Sequence, residues 1–386
     1  MKKKLALIMT TMQVGGTEKV LIEMLDAIDY NCYDVDLWLQ GTGPLDYLVN
    51  PNVHIKFWGN DNSEKVVKKL LSDGKIWNIC KSAFYWLLAR IHFQDWVFNG
   101  LYMAKMQCPC TDMVYDCVIA YQGLSPLVVA TALYRFDAPK KIAWIHGSDA
   151  FQQCHVKIIE KEYGKLDRIF CVSNALKKEF SSKYRKLDKK TDVFYNLLNQ
   201  QDIMTKAEEP IIEELRPVSL VTVGRLSAEK GQQMIPQTAR LLLDAGYDIH
   251  WYLVGDGALR DNIEQECRKQ DVCDRVILLG TRQNPYPYIK QCDIYVQPSF
   301  TEGYCTTTME AKVLSKPIVT TDAPGMQEQI ISGESGLIVD AMTPEAIADG
   351  IKLLLDHPEM MEKFRENLKC ELPDHHAELQ KLYDLI

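Results

Sequence analysis

Short apolar runs alternate with helix-patterned stretches along the chain, and the alternation begins twice. In the first half LALIM (5–9) leads into a helix pattern from Glu18 to Ile28 and then into VDLWLQ (35–40). DCVIAYQ (116–122), KIAWIH (141–146) and RIFCVSN (168–174) follow, each ahead of a Gly-bearing loop or a helical stretch. The second half restarts with VSLVTVG (218–224), IHWYLVG (249–255), RVILLG (275–280), IYVQPS (294–299), PIVTT (317–321) and GLIV (336–339). Strands separated by helices pack as a parallel sheet with helices on both faces. Two such sets predict an α/β chain of two doubly wound domains. We expect a first domain over 1–198, a polar, acidic linker over 199–217 closed by Pro217, and a second domain over 218–372. A terminal helix over 373–386 is expected to pack back on the first domain. Ligands of doubly wound sheets bind at the carboxyl ends of strands, so the site is expected there, facing a cleft between domains.

With 386 residues, both domains are long enough to bury a core. A net charge of −8 argues against a nucleic-acid partner, which calls for a basic balance. MKKKLALIM reads as a first strand rather than a secretion signal, because its apolar run ends at Thr10. No apolar run approaches the ~18 residues of a membrane span, and a cytoplasmic protein is expected. The twelve cysteines are scattered, as suits thiols in a reducing compartment. Cys108-Pro-Cys110, with Cys117 nearby, has no His at ligand spacing; Asp34-Val-Asp36 lies inside a strand; His375-His376 lacks further ligands. No metal site is therefore expected. The segment 64–106 is basic and aromatic, with Trp77, Trp86 and Trp96. It reads either as helices packing aromatics into the first domain or as a surface for a membrane or lipid-linked substrate.

Several strand ends carry candidate chemistry. Gly15-Gly16 sits where the first strand turns into a helix, either as a tight turn or as a close approach for an anion at the helix N-terminus. Arg225 and Lys230 follow the first strand of the second domain; they suit a diphosphate, or a solvated charge pair in which Glu229 neutralises one cation. Glu302 falls in the loop after IYVQPS, and Glu310 lies beyond it with seven residues between. Thr307-x-x-Glu310 also matches a capping box, whereas carboxylates at a strand end equally suit ribose or sugar hydroxyls. His146 at the end of KIAWIH either faces the site or is a satisfied strand-end histidine. Ser173 and Asn174 open a helix, and an N-cap accounts for them.

As an ordered set, GRLSAEKG (224–231), PSFTEGYCTTTMEA (298–311), KPIVTTDAPGMQEQI (316–330) and GLIV (336–339) resemble the C-terminal domain of retaining GT-B glycosyltransferases of group 1 (family 4). The glutamate pair is that family's signature. VGGTEKV, WIHGSD, CVSN and FYNLLN match its first domain more loosely. The resemblance implies two Rossmann-like domains, the first binding acceptor and the second the nucleotide sugar. It implies that Arg225 and Lys230 grip the donor diphosphate, Glu310 the ribose, and Glu302 the sugar hydroxyls, with Gly303, Tyr304, Cys305 and Thr306 alongside. Thr281 and Arg282 would lie by the base, and Gly16 near the phosphates; Gly15, His146 and Asn174 would meet the acceptor. His146, Glu302, Arg225 and Lys230 are the implied catalytic set. Tyr304 and Cys305 depart from the common pattern, as does EAKVLSKP (310–317).

The implied reaction moves a hexose from a nucleotide-diphosphate sugar, a UDP-sugar foremost, to a glycan or lipid-linked acceptor with retention of configuration. It needs neither metal nor cofactor beyond the donor, and it belongs to polysaccharide, capsule or cell-envelope glycan synthesis, with possible peripheral contact at the inner membrane face. A sugar-nucleotide epimerase of the same fold lacks this combination of motifs. A non-catalytic sugar-nucleotide-binding partner of another transferase would be expected to lose a diphosphate cation or one glutamate, and all four are present.

Overall fold

The computed structural model describes residues 2–59, 101, 104, 110–147, 156–368 and 375–386. Apart from Leu101 and Ala104, both buried, the segment 64–106 lies outside the described residues, as do Ser148 and Asp149. The chain divides into two compact units, Met1–Tyr195 with His375–Ile386, and Asn196–Asp374.

The first unit holds a parallel sheet ordered β3-β2-β1-β4-β5-β6-β7. Its strands are β1 (Lys3–Met9), β2 (Tyr33–Leu39), β3 (Val53–Phe57), β4 (Cys117–Ala120), β5 (Lys140–Ile145), β6 (Arg168–Cys171) and β7 (Thr191–Val193). Leu5 to Met9 and the whole of β4 are buried, as central strands covered on both faces must be. Strand order reverses between β1 and β4. There the Gln122 side-chain carbonyl accepts from the Thr10 amide and hydroxyl, both at 2.9 Å, tying the two strand ends together. The helix His375–Tyr383 belongs to this unit. Leu379 and Leu382 are buried, and the Tyr383 ring stacks on Tyr33 with centroids 4.6 Å apart.

The second unit repeats the topology with β10-β9-β8-β11-β12-β13. These are β8 (Ser219–Val223), β9 (His250–Val254), β10 (Val276–Gly280), β11 (Ile294–Gln297), β12 (Ile318–Thr321) and β13 (Leu337–Val339). Alternation along the strands feeds two apolar layers. Leu220, Trp251 and Leu253 join the helices Ile235–Asp244 and Pro344–Asp356 on one face; Val221, Tyr252 and Val254 join Tyr288 and Met309 on the other.

The stretch 199–217 is not a free linker. Asn199 caps a helix over Gln200–Lys206 by accepting from the Asp202 amide at 3.0 Å, and Ile203 and Ala207 bury themselves among Val221, Tyr252 and Tyr288. The helix needs only a narrow apolar face, so its polar majority reads as linker. No helix of the described residues is long and apolar enough to cross a membrane.

Candidate functional site

In the second unit strand order reverses between β8 and β11, and the loops after these neighbours lock together. After β8 the chain forms a single turn, Ala228–Lys230, ended by Gly231 in the left-handed region at φ 70°. A Cβ at Gly231 would lie 1.9 Å from the Pro298 carbonyl oxygen, so only glycine permits this approach to the end of β11. The Phe300 amide donates to the Glu229 carbonyl at 2.9 Å and closes the junction.

This junction delivers Lys230 to Glu302. The ammonium donates to both carboxylate oxygens, at 2.7 and 2.8 Å, with side-chain exposures of 24% and 7% for the two residues. Burial opposes the Lys230 charge, but Glu302, Cys305 and Glu229 together outweigh it and raise the ammonium above its ordinary value. Arg225 stands apart from this pair. It is 69% exposed and pairs with Glu229 at 3.1 Å, while Ser227 donates to the same carboxylate oxygen at 2.6 Å. Although burial opposes it, Ser227 and then Arg225 hold Glu229 below its ordinary range. Glu229 thus neutralises one of the two cations, and that cation is Arg225, while Lys230 is drawn to the glutamate of the motif.

Behind Glu302 lies a line of buried polar groups that the motifs did not disclose. Ser299 Oγ donates to Glu302 Oε1 at 2.7 Å, Gln297 Nε2 to Ser299 Oγ at 2.8 Å, and Tyr295 OH to Gln297 Oε1 at 2.7 Å. All three residues are fully buried. The available signal was polar residues at every second position of a β-branched strand, in YVQPS.

The helix Thr306–Val313 corrects the capping-box reading. Cys305 is its N-cap and makes no side-chain cap. Thr307 is already inside the helix, and its hydroxyl donates sideways to Gln297 Oε1 at 3.2 Å. Glu310 is therefore not the partner of an N-cap threonine. It is fully buried and lies close enough to Tyr295, as does Glu302, to act on that hydroxyl's charge. Burial first, then the Cys305 thiol and these carboxylates, push Tyr295 well above its ordinary value. Of the loop residues, Gly303 is buried and Tyr304 and Thr306 are half-buried. The Tyr304 carbonyl accepts from Asn196 at 3.3 Å. Cys305 turns into a small apolar cluster with Ala323 and Met326, where burial pushes its thiol up to about 11. Its carbonyl accepts from Gln329 at 3.0 Å. Thr281 is exposed; Arg282 is tied to Glu213 and to the Tyr288 hydroxyl.

In the first unit Gly15 is the N-cap and Gly16 the first residue of the helix Gly16–Ala27. A Cβ on Gly15 would meet the Glu18 carboxylate at 2.5 Å. Asn174 opens the helix Asn174–Lys183 and donates to the Tyr195 hydroxyl at 2.6 Å, while Ser173 is the N-cap, accepting from the Leu176 amide at 3.1 Å. His146 follows β5 with its ring 4.6 Å from that of Tyr121. The residue as a whole is half-buried, but Nε2 is enclosed and meets no protein partner among the described residues. Burial pushes the imidazole down to about 4, opposed by a hydrogen bond to the Tyr121 main chain. That bond uses Nδ1–H, which leaves Nε2 with its lone pair.

Because the folded value lies below the ordinary 6.5, the unfolded chain binds the His146 proton more readily between those values. Stability contributed here is present above pH 6.5 and is lost as pH falls toward 4. Replacing His146 with Asn should flatten the melting temperature against pH across that window; an unchanged slope would refute a neutral His146.

Among the described residues no group of three or more His, Cys, Asp or Glu is placed to hold a metal ion. Residues 205–370 match the family model for glycosyl transferases group 1. The chain is 26% identical to the Campylobacter jejuni N-acetylgalactosamine-N,N'-diacetylbacillosaminyl-diphospho-undecaprenol 4-alpha-N-acetylgalactosaminyltransferase, over 55% of this chain and 57% of that protein. An uncharacterized glycosyltransferase of Haemophilus influenzae is 24% identical over 93% of this chain and 92% of its own length. The chain spans about half the length of several curated relatives that it matches. Anabaena HepE, solved in complex with UDP, aligns with a TM-score of 0.71 at 17% identity, covering 99% of this chain and 98% of that one. The chain thus has the GT-B fold, and the stretch of its second unit within residues 205–370 is similar to the group 1 glycosyl transferases.

Proposed function

We propose that this protein transfers a hexose from a nucleotide-diphosphate sugar to a glycan or lipid-linked acceptor, with retention of configuration and without a metal ion. The observation that carries the reading is Lys230 held against Glu302 at the junction of the β8 and β11 loops. Breaking the anomeric C–O bond leaves negative charge on the diphosphate and positive charge on the ring. Lys230, the exposed Arg225 and the amides opening the helix Thr306–Val313 suit the leaving diphosphate. Glu302 accepts from sugar hydroxyls and Glu310 from the ribose. The acceptor oxygen attacks on the face the leaving group departs from, and its proton passes to the diphosphate, so no protein nucleophile is needed. His146 Nε2, neutral at ordinary pH, accepts a hydrogen bond from a substrate hydroxyl.

A UDP-sugar is the first choice of donor, in keeping with the UDP bound by HepE. A lipid-linked acceptor is in keeping with the diphospho-undecaprenol named for the Campylobacter relative. Polysaccharide or cell-envelope glycan synthesis, at the cytoplasmic face of a membrane touched through 64–106, is the setting that follows. A thermal-shift screen against UDP-glucose, UDP-galactose, UDP-N-acetylglucosamine and GDP-mannose should give the largest shift with a UDP-sugar. No shift with any of them would overturn the reading. Donor hydrolysis by the purified chain separates an enzyme from a binding partner of another transferase.

A further inference from the structure

The buried line behind Glu302 has a direction that its chemistry forces. Gln297 Oε1 can only accept, so the hydroxyls of Tyr295 and Thr307 both donate to it, at 2.7 and 3.2 Å. Gln297 Nε2 can only donate, so Ser299 Oγ accepts from it at 2.8 Å and has its single proton left for Glu302 at 2.7 Å. Turning the Gln297 amide over would make Ser299 donate backwards and would leave Glu302 without that bond. The elevated Tyr295 hydroxyl keeps its proton, which fixes the far end of the line.

Resting on the donor reading above, we propose that Ser299 and Gln297 are positioning residues for Glu302. A diphosphate that takes Lys230 removes both ammonium hydrogen bonds from the carboxylate. The Ser299 bond to Oε1 is then the described side-chain contact that remains, and it leaves Oε2 turned toward a sugar hydroxyl. Without Ser299 the carboxylate is free to rotate once Lys230 has been drawn away. The loss should fall on the sugar and not on the nucleotide.

The test compares the unsubstituted chain with Ser299→Ala, Ser299→Thr and Gln297→Leu, using UDP for binding and UDP-glucose hydrolysis for turnover. Ser299→Ala should lower kcat/KM roughly 10- to 100-fold, the scale of one hydrogen bond to a charged group. The Kd for UDP should stay within about twofold, because the diphosphate contacts are untouched. Ser299→Thr keeps the hydroxyl and should recover most of the turnover; Gln297→Leu should move in the same direction as Ser299→Ala. Unchanged turnover in Ser299→Ala would overturn the proposal. So would UDP affinity and turnover falling together with Ser299→Thr no better, since that marks packing damage alone. An unsubstituted chain that fails to bind UDP or to hydrolyse UDP-glucose would instead overturn the donor reading, and this proposal with it.

Discussion

Replacing Lys230 with alanine should lower kcat by roughly 100-fold or more, the scale at which one preorganised charge contact in a site acts. On the proposed reaction, the cation is lost where the leaving group would gather charge. The substitution also strands the Glu302 carboxylate, which is 7% exposed and would keep the Ser299 hydroxyl but lose both ammonium contacts. Removing one partner of a buried ion pair costs about 3–5 kcal/mol in fully buried cases, and less here because Lys230 keeps 24% of its side chain exposed. Turnover is therefore measured well below the variant's melting temperature. Lys230→Arg, which keeps the charge but spreads it over a planar fork, should fall between the two. A Lys230→Ala chain that stays folded and turns over donor at near the original rate would remove Lys230 from the mechanism.

Replacing Gly231 with alanine should be the most damaging small change at the site. Its φ of 70° already disfavours a side chain, and the new Cβ would sit 1.9 Å from the Pro298 carbonyl oxygen and 2.8 Å from its carbon. Both are backbone atoms, so relief means separating the β8 and β11 loops. A loss of ~3 kcal/mol or more is expected. In a unit of this size that lowers the melting temperature by roughly 6–12 °C. Gly246→Ala provides the comparison: its φ is 91°, but nothing lies within 4 Å of the added Cβ. It bears only the conformational term, about 1–2 kcal/mol. Equal losses at the two positions would show that the Pro298 contact is not what demands glycine.

The doubled α/β rhythm was legible because central strands such as Leu5 to Met9 and Leu220 to Val223 are buried on both faces and must be apolar or β-branched throughout. The outer strands β3 (VHIKF) and β7 (TDV) were not, because short, partly exposed strands carry polar residues at the same spacing as loops. The helix Gln200–Lys206 was hidden for a related reason, its core contact resting on Ile203. At the site, Glu302, Glu310 and Lys230 could be singled out as residues, and the Arg225–Glu229 pair could be weighed from its i,i+4 spacing. The Lys230–Glu302 bond could not be read, since 72 residues separate the two and only the adjacency of β8 and β11 joins them. Thr307 misled because the helix begins at Thr306, two residues too early for that threonine to be its cap. A pattern of residue types carries no such offset.

The Glu302 carboxylate that grips Lys230 is a built-in rival to any anion that would pair with the same ammonium. Glu302 is tethered to the same rigid junction, so it competes for the ammonium at an effective concentration on the order of millimolar or above. Simple phosphate or sulfate well below that level meets an occupied cation. On the proposed donor reading, a nucleotide anchored elsewhere through its base and ribose would present its diphosphate to Lys230 on comparable intramolecular terms. The lysine would then answer to an anion that arrives attached to the rest of a donor, and a spent nucleotide that loosens its hold would face a competitor that never leaves.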